Sequence, residues 1–230
     1  MGDKRLKAII VREHGKIEVA EPERFMKVVA KCYQQCKDEP NTEMMHKAPL
    51  NPYSDPEWKG WNTNIVVKNG QDDQWERKNR IRLMNFKTGV PNMQKGVRAC
   101  YSCPTGCMPY MEINKGKYKG NKGEGFWINT IMGHACRFDI SDPELVVNSW
   151  LLTNELGLDG DYVAAGLSWV FELYEKGIIS QKDTHGLELT WGNGDVLNKL
   201  IKKLAYREGI GDLLADGMVE AAKKIGCKSA

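Results

Sequence analysis

Cys100, Cys103 and Cys107 stand in the string Cys100-Tyr-Ser-Cys103-Pro-Thr-Gly-Cys107, a C-x2-C-x3-C spacing. Three thiolates this close can converge on one centre, because a short irregular loop lets the sulfurs meet without a regular backbone. Pro104 stiffens that loop, and Gly106 lets backbone N–H groups turn inward. An iron–sulfur cluster takes thiolate ligands together with N–H hydrogen bonds that set its potential. Tetrahedral zinc also takes thiolates, usually in paired C-x2-C units or with histidine. A structural or redox thiol group is the third reading. The string carries no fourth ligand; His134 and Cys136 are near enough in sequence to supply one, and Cys227 is more distant.

A second string that could do chemistry is Asn154-Glu155-Leu156-Gly157-Leu158-Asp159-Gly160-Asp161. Gly157 and Gly160 permit tight turns and close backbone approach to a ligand. One reading is a helix–helix connection with an N-cap. The other is a corner whose carboxylate and backbone groups hydrogen-bond a polar heterocycle.

These strings need elements to hold them. Asp142-Pro143 opens a helix over 143–155, with Gly157 ending it. Asp159 or Asp161 starts the next, which runs to Lys176-Gly177 and is apolar nearly all round, so it is expected to be buried. A third helix spans 195 to about 207, and a fourth 211 to 225. Pro22 opens a helix over 23–37 whose apolar positions include Phe25, Val28, Val29, Cys32 and Cys36; the two cysteines are read as packing residues. Residues 5–12 and 15–20 read as two short strands. Residues 38–95 are irregular, punctuated by Pro40, Pro52, Pro56 and Pro91 and by Trp58, Trp61 and Trp75, with a basic helical segment at 77–82. Residues 108–113 and 117–118 read as a hairpin about Asn114-Lys115-Gly116. The expected fold is mainly α: a short β segment at 1–20, then a helical domain at 21–230 with one hairpin and long irregular stretches.

The 230 residues are 41% hydrophobic and 27% charged, close to the globular norm. No apolar run reaches the roughly 18 residues of a membrane span, and the start lacks a signal-peptide pattern, so the cytoplasm is the expected location. Seven cysteines, an odd number without an export signal, argue against a disulfide framework. Net charge is +3, but 1–125 carries 23 Lys/Arg against 15 Asp/Glu, and 126–230 carries 10 against 15. This asymmetry reads as a solvated surface, or as a basic face toward an acidic partner such as a ferredoxin or a coenzyme phosphate.

Taken together, the two strings resemble the tungsten-containing aldehyde:ferredoxin oxidoreductase family. In that family C-x2-C-x3-C supplies three ligands to a [4Fe–4S] cluster, which the resemblance assigns to Cys100, Cys103 and Cys107. A D-x-x-G-L-D motif contacts one pterin of a tungsten (or molybdenum) bis-pyranopterin. Here it stands as N-E-L-G-L-D, which assigns Asn154, Leu158 and Asp159 to the cofactor; Asn154 keeps the hydrogen bond but not the charge. Residues 1–9, 172–179 and 206–215 also look like family segments. The resemblance implies a segment of an oxidoreductase that exchanges electrons with ferredoxin. It also implies that flanking domains carry the fourth cluster cysteine and a catalytic histidine, so that this chain resembles a middle domain alone.

One departure bears on substrate. The family's E-G-P-E-Y-E stands here as Glu124-Gly125-Phe126-Trp127-Ile128-Asn129. Glu124 is retained, the later glutamates are lost, and an aromatic wall replaces them. The family also includes tungsten-dependent aromatic acyl-coenzyme A reductases, and the segment is similar to such a branch. His134 is expected either to face that pocket as a proton donor or to be a hydrogen-bonded structural histidine. The rival expectations for the whole chain are a structural zinc module and an inactive scaffold descended from the family.

Overall fold

The computed structural model of the chain describes residues 6, 8–12, 14–50, 55, 57 and 65–226. Trp58, Trp61, Pro52, Pro56 and Cys227 lie outside them.

Helices α1 (Pro22–Asp38) and α2 (Pro40–Lys47) each place a proline in the first turn, where its missing N–H costs nothing. Helix α3 (Arg77–Leu83) follows where a basic helical segment was expected at 77–82, whereas α2 lies in the stretch expected to be irregular. Strands β1 (Gln94–Arg98), β2 (Met108–Glu112) and β3 (Lys122–Glu124) form an antiparallel sheet in that order. On β2, Pro109 and Met111 are buried and alternate with half-buried neighbours, the period a one-sided sheet imposes. The cysteine string is the β1–β2 connection.

Helix α4 (Ile128–His134) leads into α5 (Pro143–Glu155), whose cap Asp142 accepts from the N–H groups of Glu144 and Leu145 at 3.0 and 3.2 Å. Helix α6 (Gly160–Glu175) is capped by Asp159, which accepts from Tyr162 N at 2.6 Å. Its buried residues include Val163, Leu167, Val170 and Phe171. Phe171 meets Phe138 edge-on at 5.3 Å and Trp191 at 5.5 Å. Helix α7 (Gly194–Tyr206) packs on α5 and ends at Arg207 in the left-handed conformation. Arg207 then grips Asp212 and Asp216 at 2.8 and 2.7 Å. Helices α8 (Ile210–Leu214) and α9 (Met218–Ile225) close the described chain. No helix of the described residues is long and apolar enough to cross a membrane.

Four expectations are corrected. The described residues of 8–12 and 14–19 form no strand, and Ile9, Ile10, Val11 and Ile17 are exposed; β propensity without a neighbouring strand makes no ladder. The partner of β2 is Lys122–Glu124 rather than 117–118. Lys117 and Tyr118 instead tether the intervening loop to α7 through Asp195, at 2.8 and 2.9 Å. The single helix expected at 211–225 is broken at Gly217, whose φ of 101° no helix accommodates. Cys32 and Cys36 lie exposed on α1 rather than packed.

Candidate redox site

The sheet holds the cysteine loop and the turn at Glu124-Gly125 side by side. Met108 pairs with Arg98 and Tyr110 with Glu124, so the loop ends at Cys107 on the strand that carries Glu124's partner. Gly125 N donates to Pro109 O at 3.2 Å and extends that junction.

Within the loop, Cys103 N donates to Cys100 O at 3.0 Å and closes a turn. Ser102 and Gly106 take positive φ values of 55° and 56°. This conformation turns backbone N–H groups toward the sulfurs. The amides of Gly106 and then Thr105 hold the Cys103 thiol below its ordinary value, as N–H bonds to a thiolate do. Cys107 is pushed the other way, first by burial and then by the nearness of Cys103 and Cys100. The three sulfurs thus sense one another, with Cys100 exposed and the other two half-buried. Among the described residues no three His, Cys, Asp or Glu side chains gather tightly around one point. Cys136 sits in the apolar core, where burial pushes its thiol up, and His134 is hydrogen-bonded elsewhere; neither joins the loop.

Next to Met108 opens a groove of about 950 Å³, lined by Lys122, Glu124, Trp127, Trp150 and Asn154 among others. The carbonyl of Glu124 accepts from Trp150 Nε1 and Asn154 Nδ2, both at 3.2 Å. Helix α5 thereby fixes the acidic turn against the first residue of the second string. Trp127 and Trp150 also line a smaller cavity of about 250 Å³, shared with His134, Asp159 and Asp161. Asn154 lines the groove and Asp159 the smaller cavity, with Trp150 in the wall of both. Leu158 packs its side chain against the core.

His134 is buried beside Trp150, the rings perpendicular at 5.6 Å. Its Nδ1 lies 2.9 Å from Ser149 Oγ, which donates its only proton to Val146 O at 2.8 Å. Ser149 must therefore accept from His134 Nδ1–H. Nε2 is left as a lone-pair acceptor without a partner among the described residues. Burial pushes the imidazole down to about 4, so near neutrality it is uncharged and Nε2 can accept a hydrogen bond.

The residues present fit the groups implied by the sequence. The loop presents the Cys103 sulfur to backbone N–H groups with two further cysteines beside it, and the groove rim offers an amide, a carboxylate and backbone groups to a polar heterocycle. Sequence reasoning missed Trp150, read only as part of an apolar face, and Ser149 and His46. Their roles arise from contacts between distant elements, which leave no local signal.

Residues 27–230 match the family described as "Aldehyde ferredoxin oxidoreductase, domains 2 & 3". The chain is 30% identical over 227 residues to the aliphatic sulfonate oxidoreductase, WOR-like subunit, of Pyrococcus furiosus, covering 98% of this chain and 35% of that protein. It is 30% identical over 243 residues to the tungsten-containing aldehyde ferredoxin oxidoreductase of Pyrococcus horikoshii, covering 97% and 36%. Among solved structures it resembles the active site complex BamBC of benzoyl coenzyme A reductase in complex with 1,5-dienoyl-CoA. The TM-score is 0.74 and the identity 26%, over 98% of this chain and 34% of that one. The chain thus spans about a third of the length of the relatives it matches. On the match across 27–230, it belongs to the aldehyde ferredoxin oxidoreductase family.

Proposed function

We propose that this chain is the cluster- and pterin-binding part of a tungsten oxidoreductase. Cys100, Cys103 and Cys107 provide three ligands of a [4Fe–4S] cluster. Asn154, Asp159 and the backbone at Leu158 hydrogen-bond one pterin of a tungsten (or molybdenum) bis-pyranopterin. The observation that carries the reading is one of adjacency. Cys107 is followed at once by Met108, which lines the groove around Glu124, Trp150 and Asn154. When bound, the metal–pterin group supplies the two-electron chemistry, and the cluster relays electrons to a carrier such as ferredoxin. The fourth cluster ligand and the rest of the pterin site come from further domains or partner chains.

The protein's own residues shape the substrate side. Trp127 and Trp150 line the groove, and aromatic side chains suit an aromatic acyl group better than a small aldehyde. The likeness to the benzoyl coenzyme A reductase complex supports an acyl-coenzyme A type of substrate. The neutral His134, oriented by Ser149, accepts a hydrogen bond at Nε2, and Glu124 places a carboxylate at the groove rim.

The test is metal analysis of the protein isolated anaerobically from its own cells with whatever it assembles with. About four irons per chain, with tungsten or molybdenum, is expected. About one zinc, with neither iron nor tungsten, would make the loop a structural clasp and overturn the proposal.

A further inference from the structure

The loop between β2 and β3 is tied to the head of α7 twice. Lys117 and Tyr118 bond Asp195. Further along the same loop, Asn121 starts a line of side-chain amides that ends at Gly194. Asn121 Nδ2 lies 2.8 Å from Asn148 Oδ1 on α5, and Asn148 Nδ2 lies 3.0 Å from Asn198 Oδ1 on α7. Asn198 Nδ2 lies 2.9 Å from the Gly194 carbonyl oxygen. Asn148 and Asn198 are each only 4% exposed.

The last acceptor sets the direction of the whole line. A peptide carbonyl only accepts, so Asn198 must face Gly194 with its amide nitrogen. Its oxygen then faces Asn148, which must answer with nitrogen, and the Asn148 oxygen in turn takes an N–H of Asn121. Turning any one amide over would set oxygen against oxygen or N–H against N–H, and in a dry interior an unmet polar group is costly. The free end of the line is therefore Asn121 Oδ1.

Asn121 is exposed and, like Asn148, lines the groove of about 950 Å³ shared with Trp127 and Trp150. Its backbone is fixed as well: Asn121 N donates to Tyr118 O at 3.1 Å, and Asn121 O accepts from Ile113 N at 2.9 Å. Among the described residues none donates to Asn121 Oδ1. An amide held at both backbone and side chain offers an acceptor whose place and polarity are set before a ligand arrives.

We propose that Asn121 Oδ1 is a specificity-determining acceptor of the groove, selecting a ligand that carries an N–H or O–H donor at that point, and that Asn148 and Asn198 are positioning residues that keep the oxygen toward the ligand. A ligand with a bare oxygen or a methyl group there leaves the acceptor unpaired. The inference rests on the function proposed above only in taking the groove as a ligand site; it needs neither cluster nor tungsten.

The test titrates the full chain, metal-free, with para-fluorobenzamide and with para-fluoroacetophenone, followed by fluorine NMR. The probes share the ring and the carbonyl and differ in an amide NH2 against a methyl group. The wild-type chain is expected to prefer the amide. That preference, the ratio of the two dissociation constants, should fall about fivefold in Asn121→Leu, the worth of one neutral hydrogen bond. Asn198→Leu leaves Asn121 in place but removes the amide that directs the line, and should lower the ratio about twofold as Asn121 becomes free to turn. Asn198→Asp, a second variant of the same shape whose carboxylate cannot donate to Gly194, should do the same. A merely structural role would move both affinities together and leave the ratio alone. An unchanged ratio in Asn121→Leu, or a wild-type chain that binds neither probe, would overturn the acceptor. An unchanged ratio in the folded Asn198 variants would overturn the positioning role. Such failures leave the cluster reading standing, whereas zinc in place of iron in the native protein removes that reading and leaves Asn121 untouched.

Discussion

Helices α1 and α6 are nearly the same length, 17 and 16 residues, and live in opposite environments. Helix α6 buries nine of its residues, from Val163 to Leu173. Helix α1 buries none, although Phe25, Met26, Val28 and Val29 recur along it. Asp159 caps α6 through its side chain, while Glu21 at the head of α1 makes no such bond. An amphipathic stripe says which side of a helix is to be covered; it does not say by what. The described residues supply the cover for α6 and not for α1. The site follows the same division, since Trp150 on α5 is held by Glu124 of β3 and lies beside α4 and α6, while from the exposed N-terminal helices His46 touches the cysteine loop.

The largest expected effect is on the covered side. Phe171→Ala removes a ring packed against Phe138 and Trp191 and should cost about 3–5 kcal/mol in a urea melt. A loss below about 1 kcal/mol would mean that the core around α6 is not close-packed.

Next comes the buried imidazole. His134 titrates at about 4 in the folded chain, below its ordinary 6.5, so the unfolded chain takes up the proton first. Stability is full above pH 6.5 and falls as pH drops toward 4. The loss approaches about 3 kcal/mol, at 1.36 kcal/mol per unit. His134→Asn should flatten that limb of a denaturation-versus-pH profile. A wild-type profile already flat between pH 6.5 and 4.5 would place the imidazole in contact with water.

The cap comes third. Asp159→Ala should lower stability by about 1 kcal/mol, while Asp159→Asn, an equally good cap, should leave it nearly unchanged. If Asp159→Asn folds normally yet its native assembly loses tungsten, the carboxylate's charge serves the cofactor rather than the helix.

The smallest effect tests the other half of the comparison. Phe25→Ala should shift the unfolding of the isolated chain by less than about 0.5 kcal/mol. A cost like that of Phe171→Ala would show that α1 is covered in solution.

The helical half was legible because its signals are local. Asp142-Pro143 and Asp159 satisfy orphan N–H groups of their own helices, and Gly177, with φ 69°, ends α6 by bonding back to Tyr174 O. The cysteine and glycine strings were legible for the same reason: spacing along the chain already limits where their groups can point. What stayed hidden depends on distant partners. Ile9, Ile10 and Ile17 have strand-like side chains but no strand beside them among the described residues. Lys117 and Tyr118 leave the hairpin because Asp195 holds them from 77 or more residues away. The proton on His134 could be placed only once Ser149 was seen to give its own to Val146.

The central claim is that the Cys100–Cys107 loop and the groove beside it form one redox site. X-ray absorption at the iron and zinc edges, on protein isolated anaerobically from its own cells, tests it most directly. The account predicts iron surrounded by sulfur with iron neighbours, lost when Cys103 is changed to serine. Zinc ringed by sulfur with no metal neighbour, in a protein without iron, would contradict it.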